Sequence, residues 1–300
     1  MDRKTFIIAL LTIIVWASGF AGIRASILGG YSSGHLVLMR FLVASSVFLL
    51  YAIITKNHFR LPEKKDIVHI FVLGLIGITF YHVLVTFGQQ TVSAGASSMI
   101  ISSAPIFTTL IAAFVLKERI ERFAWIGLGI GFIGIFLITL GTSGTDFTIS
   151  KGAYLVLLGA ISTSIFFVFQ KPLFIKYHPI ELTAYFTWAG TIPMLVFLPG
   201  LFENIQSATL EANIAAIYVG VFPAAICYAT WAIVLSMGNT GSVMSMMYLE
   251  PLFAIIIAWF WLGEMPSVLS LIGGLIAISS VAVVNIVGRK RRAESYESNE

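Results

Sequence analysis

The chain has 300 residues, 58% of them hydrophobic and 11% charged, with a mean hydropathy of +0.95. Soluble chains carry about 25% charged residues and rarely hold apolar runs of twenty, so an ordinary soluble domain is excluded. The net charge of +4 and pI near 9.2 do not point to nucleic acid, because the basic residues lie in short loops and at the C-terminus, the pattern of membrane topology. Cys227, the one cysteine, lies in an apolar run and supports neither a disulfide framework nor a thiolate metal cluster.

Apolar runs between polar breaks predict ten helices: Phe6–Ile23, His35–Ile54, Ile67–Phe87, Ser93–Leu116 and Phe123–Leu140, then Gly152–Gln170, Ile180–Leu198, Ala212–Leu235, Gly241–Leu262 and Val268–Val287. At about 20 residues per span, ten spans take about 200 residues and leave no block for an extramembrane domain. Backbone groups in lipid must be bonded within their own segment, and no alternating pattern suggests a barrel, so the spans are helical. The first run resembles a signal peptide from Asp2-Arg3-Lys4 to Ala17-Ser18-Gly19, but it stays apolar to Ile23 and is read as retained.

Lysine and arginine set the orientation. With the N-terminus inside, fifteen of the eighteen basic residues fall on the cytoplasmic side, among them Lys64, Lys65, Lys117, Arg119, Lys171 and Arg289 to Arg292. The other side has Arg24 and Lys151, and Arg40 lies within the second helix. The expectation is a multi-pass protein of the cell membrane with both termini cytoplasmic.

Sliding the chain against itself at an offset of 146 pairs Gly95 with Gly241, Pro105 with Pro251, Phe107 with Phe253, Leu116 with Leu262 and Glu118 with Glu264. The same register pairs Ser18 with Ser164, Leu36 with Leu182 and Gly74 with Gly220. The unit is five helices, an odd number, so the second copy enters the membrane from the opposite face. This predicts an all-α membrane protein of two inverted five-helix repeats, residues 1–145 and 146–288, followed by a basic and acidic tail, 289–300. A substrate site near the midplane between repeats is the usual companion of that architecture.

Four segments carry a family resemblance. They are Ile14-Val15-Trp16-Ala17-Ser18-Gly19-Phe20, His35-Leu36-Val37-Leu38-Met39-Arg40-Phe41, Ala104-Pro105-Ile106-Phe107 through Leu116-Lys117-Glu118, and Glu250-Pro251-Leu252-Phe253 through Leu262-Gly263-Glu264. In these the chain resembles the EamA-type branch of the drug/metabolite transporter superfamily, over nearly its whole length. The resemblance implies transport of small metabolites, often export of amino acids or related compounds, and identifies no substrate.

Candidate residues follow, each beside its plainer reading. Pro105 and Pro251 near mid-helix are paired hinges or static kinks. Glu118 and Glu264 either accept bonds from the first turn of the helix that follows each, the expected reading, or take a gating or substrate role. Arg40 either snorkels to the interface or, since the family motif carries an arginine there, meets a substrate carboxylate. His82, Thr86 and Gln89 form one polar stripe on the third helix, for interhelical bonding or substrate contact. Tyr185 with Trp188 and Tyr228 with Trp231, together with Trp16 and Tyr248, suggest an aromatic pocket, although any one of them is more often packing. Gly127, Gly131 and Gly273-Gly274 are accounted for by close helix packing.

Glu250 is the sharpest asymmetry, because its counterpart at the offset is Ala104. A carboxylate in mid-membrane is costly unless paired or hydrated, and desolvation favours its neutral form, which would permit proton exchange. It is read as a proton carrier, a partner for a substrate amine, or a structural glutamate bonded to His82, Tyr228 or a freed carbonyl.

There is no P-loop, no His-Glu-x-x-His, no cysteine pair and no dinucleotide turn, so ATP-driven transport within this chain is excluded and no cofactor or metal is expected. The leading expectation is a secondary transporter, not an enzyme. Its partners would be a small-molecule substrate and the lipid bilayer, with proton coupling and oligomeric state open. The alternatives are an intramembrane lipid-modifying enzyme and a passive channel.

Overall fold

Chain segments that cannot bond their backbone to water fold as helices, and nearly everything seen here is helical. The computed structural model describes residues 3–55, 59, 61–115, 122–141, 150–237 and 246–279, and no strand occurs among them. The helices are α1 (Arg3–Leu28), α2 (Ser33–Ile54), α3 (Lys64–Gly88), α4 in two pieces (Ala94–Ile101 and Ala104–Val115), and α5 (Arg122–Gly141). The second half repeats the order with α6 (Lys151–Ile175), α7 (Pro179–Phe197), α8 (Leu210–Met237, in three joined pieces), α9 (Glu250–Leu262) and α10 (Val268–Ser279). Six of these, α1, α2, α3, α6, α7 and α8, are long and apolar enough to cross a membrane.

Local chemistry places the helix starts. Ser32, Ser93 and Thr209 stand extended before α2, α4 and α8, and each side chain accepts from the backbone N–H three residues on, filling an otherwise empty acceptor demand. α1 runs five residues past its expected end at Ile23, and Arg24 is therefore helical rather than in a loop.

Two expectations change in α4 and α9. Pro105 and Pro251 do not kink the middle of continuous helices. Each is the second residue of a helical piece, after a break at Ser102–Ser103 in α4 and a 3-10 turn at Met247–Leu249 before α9. Proline has no N–H to donate, and the first turn is the one place in a helix where none is required. Each proline therefore begins a half-helix inside the bundle.

The core is made where the two copies meet. α1 packs on α9 and α4 on α6; α2 packs on α8 and α3 on α7. Each pairing has its inverted partner at the 146 offset. Gly134 of α5 lies so close to α10 that a Cβ there would come 2.6 Å from the Ala277 nitrogen and 2.7 Å from the Gly273 carbonyl.

The register repeats in backbone detail as well. α3 widens to a π-helical segment at Leu75–Phe80 and α8 at Phe222–Ile226, where the Tyr81 N–H reaches the Ile76 carbonyl and the Cys227 N–H that of Phe222. In α8 the missing N–H of Pro223 explains the widening. In α3 the equivalent residue is Gly77, where a Cβ would come 2.2 Å from the Phe166 ring. π-Bulges of this kind often mark functional positions.

Candidate functional site

The π-helical segments aim the residues that follow them. His82 stands two residues beyond the first, Tyr228 two beyond the second, and His82 Nε2 hydrogen-bonds the Tyr228 hydroxyl at 3.1 Å. Around this bond lie Phe41, with its ring centroid 4.5 Å from that of His82, and Tyr81, also at 4.5 Å. Trp16 meets the Tyr228 ring edge-on at 5.1 Å and Trp231 at 5.5 Å. The structure thus joins His82, Tyr228, Trp231 and Trp16, from α3, α8 and α1, in one aromatic cluster.

Arg40 borders this cluster and does not reach the surface. It is 2% exposed, one guanidinium N–H donates to the Thr86 hydroxyl at 3.2 Å, and its Nε has no partner. Glu250 is 7% exposed, in the first turn of α9, with no hydrogen bond or ion pair among the described residues. Neither His82, Tyr228 nor a carbonyl near Pro251 bonds it. The helix-dipole charge at the start of α9 favours an acidic side chain there. Tyr81 and Tyr228 lie near both Arg40 and Glu250, yet Arg40 and Glu250 form no ion pair with each other. Both buried groups therefore lie near the same two tyrosines.

A small cavity of about 30 Å³ lies beside the cluster, lined by Trp16, Tyr228 and Trp231 together with Phe186, Thr183 and Gln170. That is room for one or two water molecules rather than a metabolite. The indole N–H of Trp231, on the cavity wall, is buried without a partner.

The remaining sequence candidates divide. Thr86 and Gln89 complete the buried stripe with His82, each bonded to a different helix: Thr86 to Arg40 of α2, and Gln89 through its amide to the Phe20 carbonyl of α1. Tyr185 and Trp188 do not join the cluster. Tyr185 meets Phe59, in the loop before α3, edge-on and Trp188 meets it at a tilt, and the Trp188 indole donates to the Ser45 carbonyl. The side chains of Pro105 and Tyr248 lie outside the described residues, as does Glu118.

Glu264 departs from expectation. It does not bond the start of the following helix. One carboxylate oxygen pairs with Arg24 Nε at 2.8 Å and the other accepts from the Ala94 N–H of α4. Sequence reasoning missed Arg24, reading it only as an outside charge. It also missed the Asp66, Lys176 and Tyr177 cluster at the opposite face, where Tyr177 donates to Asp66 at 2.9 Å. The signal was available: Tyr177 is the 146 counterpart of Tyr31, whose hydroxyl donates to Asn213 at 2.6 Å.

The model of the EamA-like transporter family matches the chain twice, over residues 3–140 and 150–286. An "Uncharacterized transporter YdfC" of Bacillus subtilis (strain 168) is 42% identical over 285 residues, covering 94% of this chain and 92% of its own. A "Probable terminal-alkyne amino-acid exporter" of Streptantibioticus cattleyicolor is 33% identical over 288 residues, covering 95% of each. One solved crystal structure aligns with a TM-score of 0.66 over 97% of this chain and 98% of its own, at 18% identity, a likeness of fold.

Proposed function

The chain belongs to the EamA-like transporter family, and from that premise we propose a secondary transporter that exports a small amino-acid-like metabolite by alternating access. The observation that carries this reading is the pair Arg40 and Glu250, both buried near Tyr81 and Tyr228 and not paired with each other. Unpaired buried charges are costly. A zwitterion offers both missing partners, its carboxylate to the Arg40 fork and its ammonium to Glu250. A relative named as an exporter of an amino acid supports the same class.

In this reading the termini are cytoplasmic, because basic residues crowd the loops on that side. The half-helices that begin at Ala104 and Glu250 are the hinges, and the aromatic wall of Trp16, Tyr228 and Trp231 holds the substrate's apolar part. Energy comes from a gradient, with Glu250 able to exchange a proton when no amine is bound.

Counterflow in proteoliposomes against a panel of amino acids, amines, nucleosides and sugars tests it. Exchange of amino acids, saturable and stoichiometric, is the expected result. Exchange confined to nucleosides or sugars would overturn the substrate class, and flux without counterflow would replace the carrier by a channel.

A further inference from the structure

At the face where α1 ends, three separate parts of the chain are tied through one ion pair. Arg24 donates through Nε to Glu264 at 2.8 Å and through Nη1 to the Gln89 and Gln90 carbonyls at 2.7 and 2.9 Å. Glu264 also accepts from the Ala94 N–H at 3.3 Å. The contacts thus join α1, the α3–α4 turn and the first turn of α4, all in the first repeat, to the α9–α10 loop of the second. That loop turns on Gly263, in the left-handed region at φ +67°. It lies close over α4, for a Cβ on Gly95 would come 2.7 Å from Pro266.

Beneath these contacts two buried polar atoms have no partner, Gln89 Oε1 and Ser97 Oγ. Buried polar groups are normally satisfied. Atoms left bare in one state and wetted in another are what a gate that opens to water leaves beneath it.

The opposite face is built differently. At the 146 offset Glu264 corresponds to Glu118, but Arg24 corresponds to Gln170, and Gln170 lines the cavity. Two identical inverted repeats would favour neither state. Here one face carries an Arg24–Glu264 pair that the equivalent residues Gln170 and Glu118 cannot form, and the other face is tied instead by Lys176 and Asp66, at positions the first face does not share.

We propose that Arg24, Glu264 and the Ala94 N–H form the latch of the outer gate, and that the missing arginine at position 170 biases the empty carrier toward the state closed outside. This rests on the export reading, since a resting carrier closed outside is poised to load from within.

The test needs no substrate. In a Cys227→Ala background, Ser97→Cys is labelled with a membrane-impermeant maleimide on intact cells, and Gly30→Cys serves as the control for reagent access. Arg24→Gln, which copies the residue found at position 170, and Glu264→Gln should each raise the labelling rate at position 97 about tenfold, as expected when a charge-assisted bond holding one state is removed. Arg24→Lys, which keeps the charge, should raise it less. In a second experiment, oxidising an Arg24→Cys/Glu264→Cys pair should stop counterflow, and reductant should restore it. Parental labelling in both glutamine variants, or full exchange by the oxidised pair, would overturn the latch. Altered labelling in a protein that exchanges no amino acid would leave the latch standing and remove the substrate reading.

Discussion

His82 and Tyr228 are the same position of the two repeats, 146 residues apart, and their side chains hydrogen-bond each other at 3.1 Å. Residues related by a two-fold axis can touch each other only at that axis. In an inverted repeat the axis lies in the membrane plane, so this bond marks mid-membrane more directly than any hydropathy profile. Ser45 and Thr191 are a second such pair, 3.0 Å apart. A line through the two bonds traces the axis from the α2–α7 contact into the aromatic cluster. Arg40 and Glu250 break the symmetry around it, since their counterparts are Phe186 and Ala104.

The axial bond should be worth measuring by a double-mutant cycle. Tyr228→Phe leaves a buried imidazole nitrogen without its partner, at a cost of about 1–3 kcal/mol. His82→Phe with Tyr228→Phe removes both polar ends, and the double variant should be more stable than the sum of the two single effects, by at least about 0.5 kcal/mol. Unfolding midpoints of the purified protein in detergent provide the reading. Strict additivity would mean that the two groups do not support each other.

Two glycines should resist a side chain for different reasons. Gly134→Ala drives a methyl into the backbone of α10, which has no side chain to swing aside, and should cost about 1–3 kcal/mol. At Gly263 nothing lies within 4 Å, and only the left-handed backbone resists a side chain, so Gly263→Ala should cost about 1–2 kcal/mol. Thermal melts should show loss of α5–α10 packing in the first variant. In the second the packing should hold while the loop that carries Glu264 shifts, seen as changed labelling behind it.

The helices were legible because lipid leaves an apolar chain little other choice, and most observed ends fall within a few residues of those expected. The repeat was legible because proline and glutamate recur in one register. The half-helices were not, because proline in an apolar run reads equally as a kink or as a start. Only the break at Ser102–Ser103 and the 3-10 turn before Glu250 decide. Arg24 was hidden for a related reason: a basic residue at a helix end satisfies the topology rule whether or not it has a partner. Its partner Glu264 lies 240 residues away, and no local pattern connects them. Tyr185 and Trp188 shared spacing with Tyr228 and Trp231, but spacing does not say what a pair faces.

Arg40 should govern the carboxylate end of the substrate. Arg40→Gln retains a polar group within reach of Thr86 but loses the charge and the planar fork. Counterflow of amino acids should fall by at least about tenfold, the loss expected for one charged hydrogen bond, while any exchange of simple amines is spared. Equal loss for both classes would reduce Arg40 to a structural role, which the unfolding midpoint of the same variant would then register.

Glu250 gives the most demanding prediction. It lies in the first turn of a half-helix, where the dipole suits a carboxylate, yet it is buried and has no hydrogen bond or ion pair among the described residues. Structure alone does not require an acid there, for the inverted position is Ala104. Glu250→Gln keeps the shape and the hydrogen-bonding capacity but cannot lose a proton, so the protein should fold with an unchanged unfolding midpoint. If Glu250 carries a proton, parental exchange depends on pH, and the glutamine variant should lose that dependence along with any transport driven by a pH gradient. If it holds the substrate ammonium instead, the variant should lose affinity for amino acids while keeping what remains of the pH profile. Counterflow measured from acid to alkaline pH, with and without an imposed gradient, separates the two. A variant that transports at the parental rate with the parental pH profile would remove Glu250 from the mechanism and return it to the packing of α9.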